Sequence, residues 1–177
     1  MQAVPSAPRI LVVEPLKSGM SVMVRRLGEA GYRVIACASA TEAVSELTRA
    51  RPELLLAELR MAPMSGIDLV RLVRADSLLA DLPVMLINGK SDSEGSCEGF
   101  AAGADYIVTK PFDFDLLVAR IERALARARS MRELRQDNAA LDARVIERAI
   151  QLGEMRVALE ASEADRARLA ARSRLTD

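Results

Sequence analysis

Short apolar runs alternate along the chain with stretches of helical spacing. Ile10-Leu11-Val12-Val13 has no polar member, the pattern of a strand buried on both faces. Helical spacing follows over about 16–30 and stops at Gly31. Residues 32–36 read as a second strand and 41–50 as a second helix, with Ser39 placed to cap it. Pro52 punctuates before a third strand at 53–57, and a loop containing Pro63 and Gly66 leads into a helix at 67–74. Pro83 opens a fourth strand ending near Ile87. A weaker helix spans 93–102, where Gly95 and Gly99 each cost about 1 kcal/mol relative to alanine. That helix is expected to be the most mobile element of the globular part. Gly103 ends it, 105–108 forms a fifth strand, and Lys110-Pro111-Phe112 opens the last helix. Five strands alternating with five helices predict a doubly wound α/β fold, a parallel sheet covered on both faces. Ligand chemistry in such folds belongs at the carboxyl ends of the strands. Glu14, Glu58, Asn88 and Lys110 all fall there, and Met61, Met64 and Met85 are expected near the same rim.

The last helix is unusual in length. From about 113 to 175 there is no proline and one glycine, Gly153. A helix of that length runs to about 90 Å, more than a domain of some 120 residues can cover. A heptad emerges with Met131, Asn138, Val145, Leu152 and Leu159 at a, and Leu134, Leu141, Arg148 and Met155 at d. An asparagine at a selects register and two-strandedness, which favours a parallel dimeric coiled coil. Against it, Asp137 at g meets Asp142 at e of the partner helix. The competing reading is a single amphipathic helix that folds back or docks on another protein. Beyond Leu159 the seam turns mostly polar, with Ser162, Arg166, Ser173 and Thr176 at core positions and Leu169 the apolar exception.

Composition narrows the function. A chain of 177 residues suits one domain with an appendage: a tail at 1–8, a globular domain at 9–125 and a coiled-coil helix at 126–177. The 25 basic and 25 acidic side chains cancel, so no global field draws the chain to nucleic acid or an anionic membrane. Aromatics are 3% with no tryptophan, which disfavours stacking on bases. The absence of histidine removes the commonest general base and metal ligand. Cys37 and Cys97 have no metal-site spacing, and no run approaches the roughly 20 apolar residues of a membrane span. The expectation is a cytoplasmic protein with free thiols, no metal and no cofactor.

The segments Ile10-Leu11-Val12-Val13-Glu14, Leu59-Arg60-Met61-Ala62-Pro63-Met64-Ser65-Gly66, Pro83-Val84-Met85-Leu86-Ile87 and Gly103-Ala104-Asp105 with Lys110-Pro111-Phe112 resemble, in order and spacing, the receiver domains of bacterial two-component systems. The resemblance covers about 9–125 and implies a flavodoxin-like sheet of order 2-1-3-4-5. In that family an acidic pair after the first strand and an aspartate after the third hold Mg²⁺. The aspartate accepts a phosphoryl group, and a Ser/Thr and a lysine contact the added oxygens. Here the acidic pair reads Glu14-Pro15, the acceptor position holds Glu58, and the Ser/Thr position holds Asn88, followed by Gly89. The aromatic-switch position is Ile107, with Tyr106 one residue early and so on the opposite face. Lys110 alone is retained. Mg²⁺ demands near-octahedral oxygen ligands at about 2.0–2.1 Å, and a misplacement of about 1 Å can cost phosphoryl transfer a hundredfold. The resemblance thus implies a degenerate phosphorylation site.

Each of these residues keeps two readings. Glu58 paired with Lys110 either imitates a phosphoaspartate or is a surviving polar group in an ion pair worth about 0–1 kcal/mol if exposed. Lys110 either senses phosphate or neutralises Glu14 and Glu58 so that both can share the rim. Asn88 is placed to donate to Glu58. Without an aromatic at Ile107 the family's rotamer switch has no lever, which favours one fixed state. The expected function is a non-enzymatic signalling adaptor, a homodimer docking a kinase, phosphotransfer protein or output enzyme. The alternative is a phosphorylatable receiver fragment that controls an output domain not contained in this chain.

Overall fold

The structure is a computed structural model and describes residues 7–90 and 92–173. Most of the expected tail at 1–8, and the seam position at Thr176, lie outside the described residues. Five strands, β1 (Arg9–Val13), β2 (Arg33–Cys37), β3 (Leu54–Glu58), β4 (Val84–Asn88) and β5 (Tyr106–Thr109), alternate with five helices. These are α1 (Lys17–Glu29), α2 (Ala40–Ala50), α3 (Gly66–Ala75), α4 (Ser93–Ala102) and α5 (Phe114–Ser173). The sheet is parallel throughout, in the order β2-β1-β3-β4-β5. The chain reverses its winding direction between β1 and β3, so the carboxyl ends of those two strands flank the crevice.

Side chains alternate across the sheet with the pleat. Leu11, Val13, Leu55, Ala57, Val84 and Leu86 pack with α2 and α3 on one face. Ile10, Val12, Leu54, Leu56, Met85 and Ile87 pack with α1 and the start of α5 on the other. Burial on both faces explains why the central strands lack polar alternation. It also corrects one expectation: Met85 is buried on the face opposite Met61 and Met64, so the three methionines do not form one cluster. Tyr106 and Ile107 likewise sit on opposite faces, Ile107 against the α2–α3 side.

Local signals account for the element ends. Ser39 accepts a hydrogen bond from the Glu42 backbone N–H at 3.2 Å. Ser65 and Asp68 form a reciprocal capping box at the start of α3. Gly31 (φ +88°) and Gly103 (φ +105°) take the left-handed conformations that end α1 and α4. β1 ends where its apolar run ends, whereas β2 to β5 each end one residue later than the sequence pattern suggests. The Leu59 N–H still donates to the Ile87 carbonyl at 2.7 Å, and the Lys110 N–H to the Asn88 carbonyl at 2.8 Å. These bonds carry the ladder up to the polar rim.

The chain divides into two units, Met1–Arg129 and Ser130–Asp177. In the second, the expected seam residues Met131, Leu134, Leu141, Val145, Leu152, Met155 and Leu159 are all exposed, as is Asn138.

Candidate functional site

Glu14, Glu58 and Lys110 come together at the rim. Glu14 directly follows β1, Glu58 ends β3, and Lys110 directly follows β5. The Lys110 ammonium donates to Glu58 Oε2 at 2.5 Å and to Glu14 Oε2 at 3.1 Å. One cation therefore bridges the two carboxylates. Glu14 is almost wholly buried, with 3% of its surface exposed. Its second oxygen, Oε1, accepts from the Leu16 backbone N–H at 3.0 Å. A buried carboxylate needs such satisfaction, and here a main-chain donor and an ammonium supply it. The extra methylene relative to aspartate is housed against α1: a Cβ at Gly19 would lie 2.9 Å from Glu14 Cδ. Pro15 supplies no side-chain polar atom.

Burial pushes the Glu58 carboxyl above its ordinary value; the bond and charge of Lys110 pull it back, and the charge of Glu14 pushes it further up. Burial alone depresses the Lys110 ammonium, but its bonds to Glu58 and Glu14 outweigh that and hold it above its ordinary value.

Asn88 is 1% exposed and does not reach Glu58. Its amide donates to the Asp92 carbonyl and, at 2.8 Å, to Ser96 Oγ, and its Oδ1 accepts from the Gly89 N–H at 2.8 Å. The expected Asn88–Glu58 bond is thus replaced by one that ties β4 to the first turn of α4. The reason is competition: both amide hydrogens find acceptors in the adjacent turn, where the contacts are local.

A second clasp holds the same turn. Asp92 caps α4 through the Gly95 N–H at 2.8 Å, and Arg60 grips its carboxylate with two donors at 2.6 and 3.1 Å. Glu98 lies 3.7 Å from the same guanidinium. Arg60, Asp92 and Ser96 were missed as site neighbours; an aspartate immediately before a helical run was the visible signal. The α4 glycines have packing reasons. A Cβ at Gly95 would meet Asp92 Oδ2 at 2.4 Å, and one at Gly99 would meet Ile107 Cδ1 and Leu86 Cδ1 at 3.0 Å. Gly66 is more tightly constrained, since a Cβ there would collide with the main-chain carbonyl oxygen of Glu58.

The donor set fits Mg²⁺ poorly. Two carboxylates converge, and an ammonium already lies between them. Among the described residues no group of three or more Asp, Glu, Cys or His side chains is placed to hold a metal ion. A hard divalent cation that wants six oxygens would have to displace Lys110 and recruit most of its shell from water.

Residues 10–122 match the family model described as the response regulator receiver domain. The two-component response regulator PhoP of Pseudomonas aeruginosa is 34% identical over 120 residues, which is 68% of this chain and 52% of the relative. The DNA-binding response regulator MtrA of Mycobacterium tuberculosis is 34% identical over 119 residues, 67% of this chain and 51% of the relative. The chain thus spans about half the length of the curated relatives it matches. A crystal structure of a putative response regulator from Chloroflexus aurantiacus is similar at TM-score 0.66 and 28% identity, over 68% of this chain and 98% of that one. The signal receiver domain of a histidine kinase from Syntrophus aciditrophicus is similar at TM-score 0.64 and 30% identity, over 68% and 91%. Among the described residues no helix is long and apolar enough to cross a membrane.

Proposed function

The chain belongs to the response regulator receiver domain family, and on that premise we propose that it is a non-enzymatic signalling adaptor whose receiver domain, 9–125, works without phosphorylation. One observation carries the reading: the Lys110 ammonium bridges Glu14 and Glu58 at hydrogen-bond distance. In this reading the ammonium is the site's resident cation, Pro15 withholds a ligand, and Glu58 holds the charge that a phosphoryl group brings elsewhere. Asn88, committed to Asp92 and Ser96, leaves the acceptor position without a hydroxyl donor. Ile107 packs beside Gly99 with no aromatic ring to reorient. The site therefore sets one conformation of α4 and β5, and a cytoplasmic partner (a kinase, phosphotransfer protein or output enzyme) reads that surface.

The C-terminal part of α5, from 126 to 173, dimerises the chain as a parallel coiled coil through Met131, Leu134, Asn138, Leu141, Val145, Leu152, Met155 and Leu159. Their exposure in a single chain supports this assignment. Nucleic acid and membrane have no part in it. The second reading, a phosphorylatable fragment of a larger regulator, draws support from the relatives, which extend to about twice the matched length.

Light scattering separates the two. The adaptor reading expects a dimer mass that a small acyl phosphate with Mg²⁺ leaves unchanged, and a monomer mass for Leu141→Lys with Leu152→Lys. A mass that shifts only when phosphodonor and Mg²⁺ are both present favours the second reading.

A further inference from the structure

The dimer seam uses only part of the apolar surface of the second unit. Ile146, Ile150 and Val157 are 62%, 58% and 67% exposed, yet none occupies an a or d position. They fall at b and f of the same heptad, together with Ala143 and Gly153, at alternating spacings of three and four residues. At 3.5 residues per turn the b/f line lies roughly 150° around the helix from the a/d line. The helix thus carries two apolar stripes on nearly opposite sides, and a two-stranded coil covers one of them.

Gly153 supplies a second observation. A mid-helix glycine costs about 1 kcal/mol relative to alanine, and beyond its own helix backbone and chain neighbours nothing lies within 4 Å of where its Cβ would be. Among the described residues no packing calls for it. Its effect is a shallow apolar notch between Ile150 and Val157, bordered by Ala149 and Ala161.

The charges beside this stripe give the partner's chemistry. Asp142, Glu147 and Glu154 flank it, and Glu160 follows it at b, against a single arginine, Arg156, which already pairs with Glu160 at 3.1 Å. We propose that the Ile146–Ile150–Val157 stripe docks an amphipathic helix of a partner protein whose apolar seam is flanked by lysine or arginine. A second copy of the chain is the poorer occupant. Parallel self-pairing through this stripe sets Asp142 against Glu147, and antiparallel pairing sets Glu147 against Glu154, both like-charge contacts. Only the statement that this face is left over rests on the dimer reading.

The test uses the full chain and two fluorescent synthetic helices with leucine at a and d, one with lysine and its twin with glutamate at e and g. Anisotropy is expected to rise on binding of the lysine helix and not of its twin. Ile150→Asn with Val157→Asn is expected to weaken that binding at least tenfold while the light-scattering mass stays dimeric. Gly153→Ala is expected to raise helicity by circular dichroism and still weaken binding, which a purely structural glycine would not do. The proposal fails if the lysine helix does not bind, if both helices bind alike, or if the Ile150/Val157 variant binds as well as wild type. It also fails if the wild-type mass exceeds a dimer and that variant alone restores the dimer, since a second copy would then cover the stripe. A wild-type monomer that still binds the lysine helix through Ile150 and Val157 upholds the proposal and removes the dimer reading instead.

Discussion

Glu14 and Gly19 show how one side chain's length is accommodated. The glutamate's carboxyl reaches the Leu16 N–H and Lys110 only because α1 has no Cβ at Gly19. Gly19→Ala should therefore destabilise the wild-type fold despite alanine's better helix propensity. In a Glu14→Asp background, where the shorter side chain frees the space, the same change should stabilise. Denaturant unfolding of the four proteins is expected to give a coupling of about 1 kcal/mol or more; simple additivity would remove the argument. Lys110→Met leaves buried Glu14 without its cation, at a cost of about 1–3 kcal/mol once the lysine's partial exposure is allowed for. Adding Glu14→Gln should return most of that.

The pH dependence of the same site has a definite sign. Because the Glu58 carboxyl is held above its ordinary value, the folded chain binds more protons than the unfolded chain just above the usual glutamate range. Stability contributed by this group falls as pH rises through that window. Glu58→Gln is expected to flatten the fall in a urea-midpoint series, and an unchanged slope would mean the group is not perturbed. The four rim residues were legible from sequence because each sits at the end of an apolar run. The direction of the Asn88 amide was not, since it depends on acceptors supplied by a turn four to eight residues later.

At the scale of elements, the glycines of α4 carry the lesson. Propensity marks Gly95 and Gly99 as weaknesses, whereas in the packed structure a Cβ would collide with the Asp92 and Arg60 side chains at Gly95 and press on Ile107 and Leu86 at Gly99. Gly99→Ala is thus expected to lower the unfolding midpoint, through crowding of Ile107 and Leu86; a raised midpoint would show that propensity governs. Arg74 is the other staple. Its guanidinium donates to the carbonyls of Ala80, Leu82 and Gly103 and pairs with Asp105 at 2.8 Å, binding α3 to the turns that flank β4 and α4. Arg74→Ala should cost about 1–3 kcal/mol by leaving those carbonyls short of donors. Element order and type were readable from periodicity. The ends of β3, β4 and β5 fall one residue later than the pattern suggests because the ladder continues into the polar Glu58, Asn88 and Thr109, which hydrophobic pattern does not mark.

The whole molecule combines a rim closed by its own cation with a helix that presents two apolar stripes. Alternation implies the parallel sheet and the family resemblance its order, and the structure bears out both. What pairs with the exposed helix is written in no single-chain contact, so only the spacing and charge of its faces speak to it. Whether the receiver works without phosphorylation can be read from intact-protein mass after incubation with a small acyl phosphate and Mg²⁺. No gain of a phosphoryl group is expected on the wild-type chain. A Mg²⁺-dependent gain of one phosphoryl group that disappears in Glu58→Gln would contradict it and make Glu58 an acceptor.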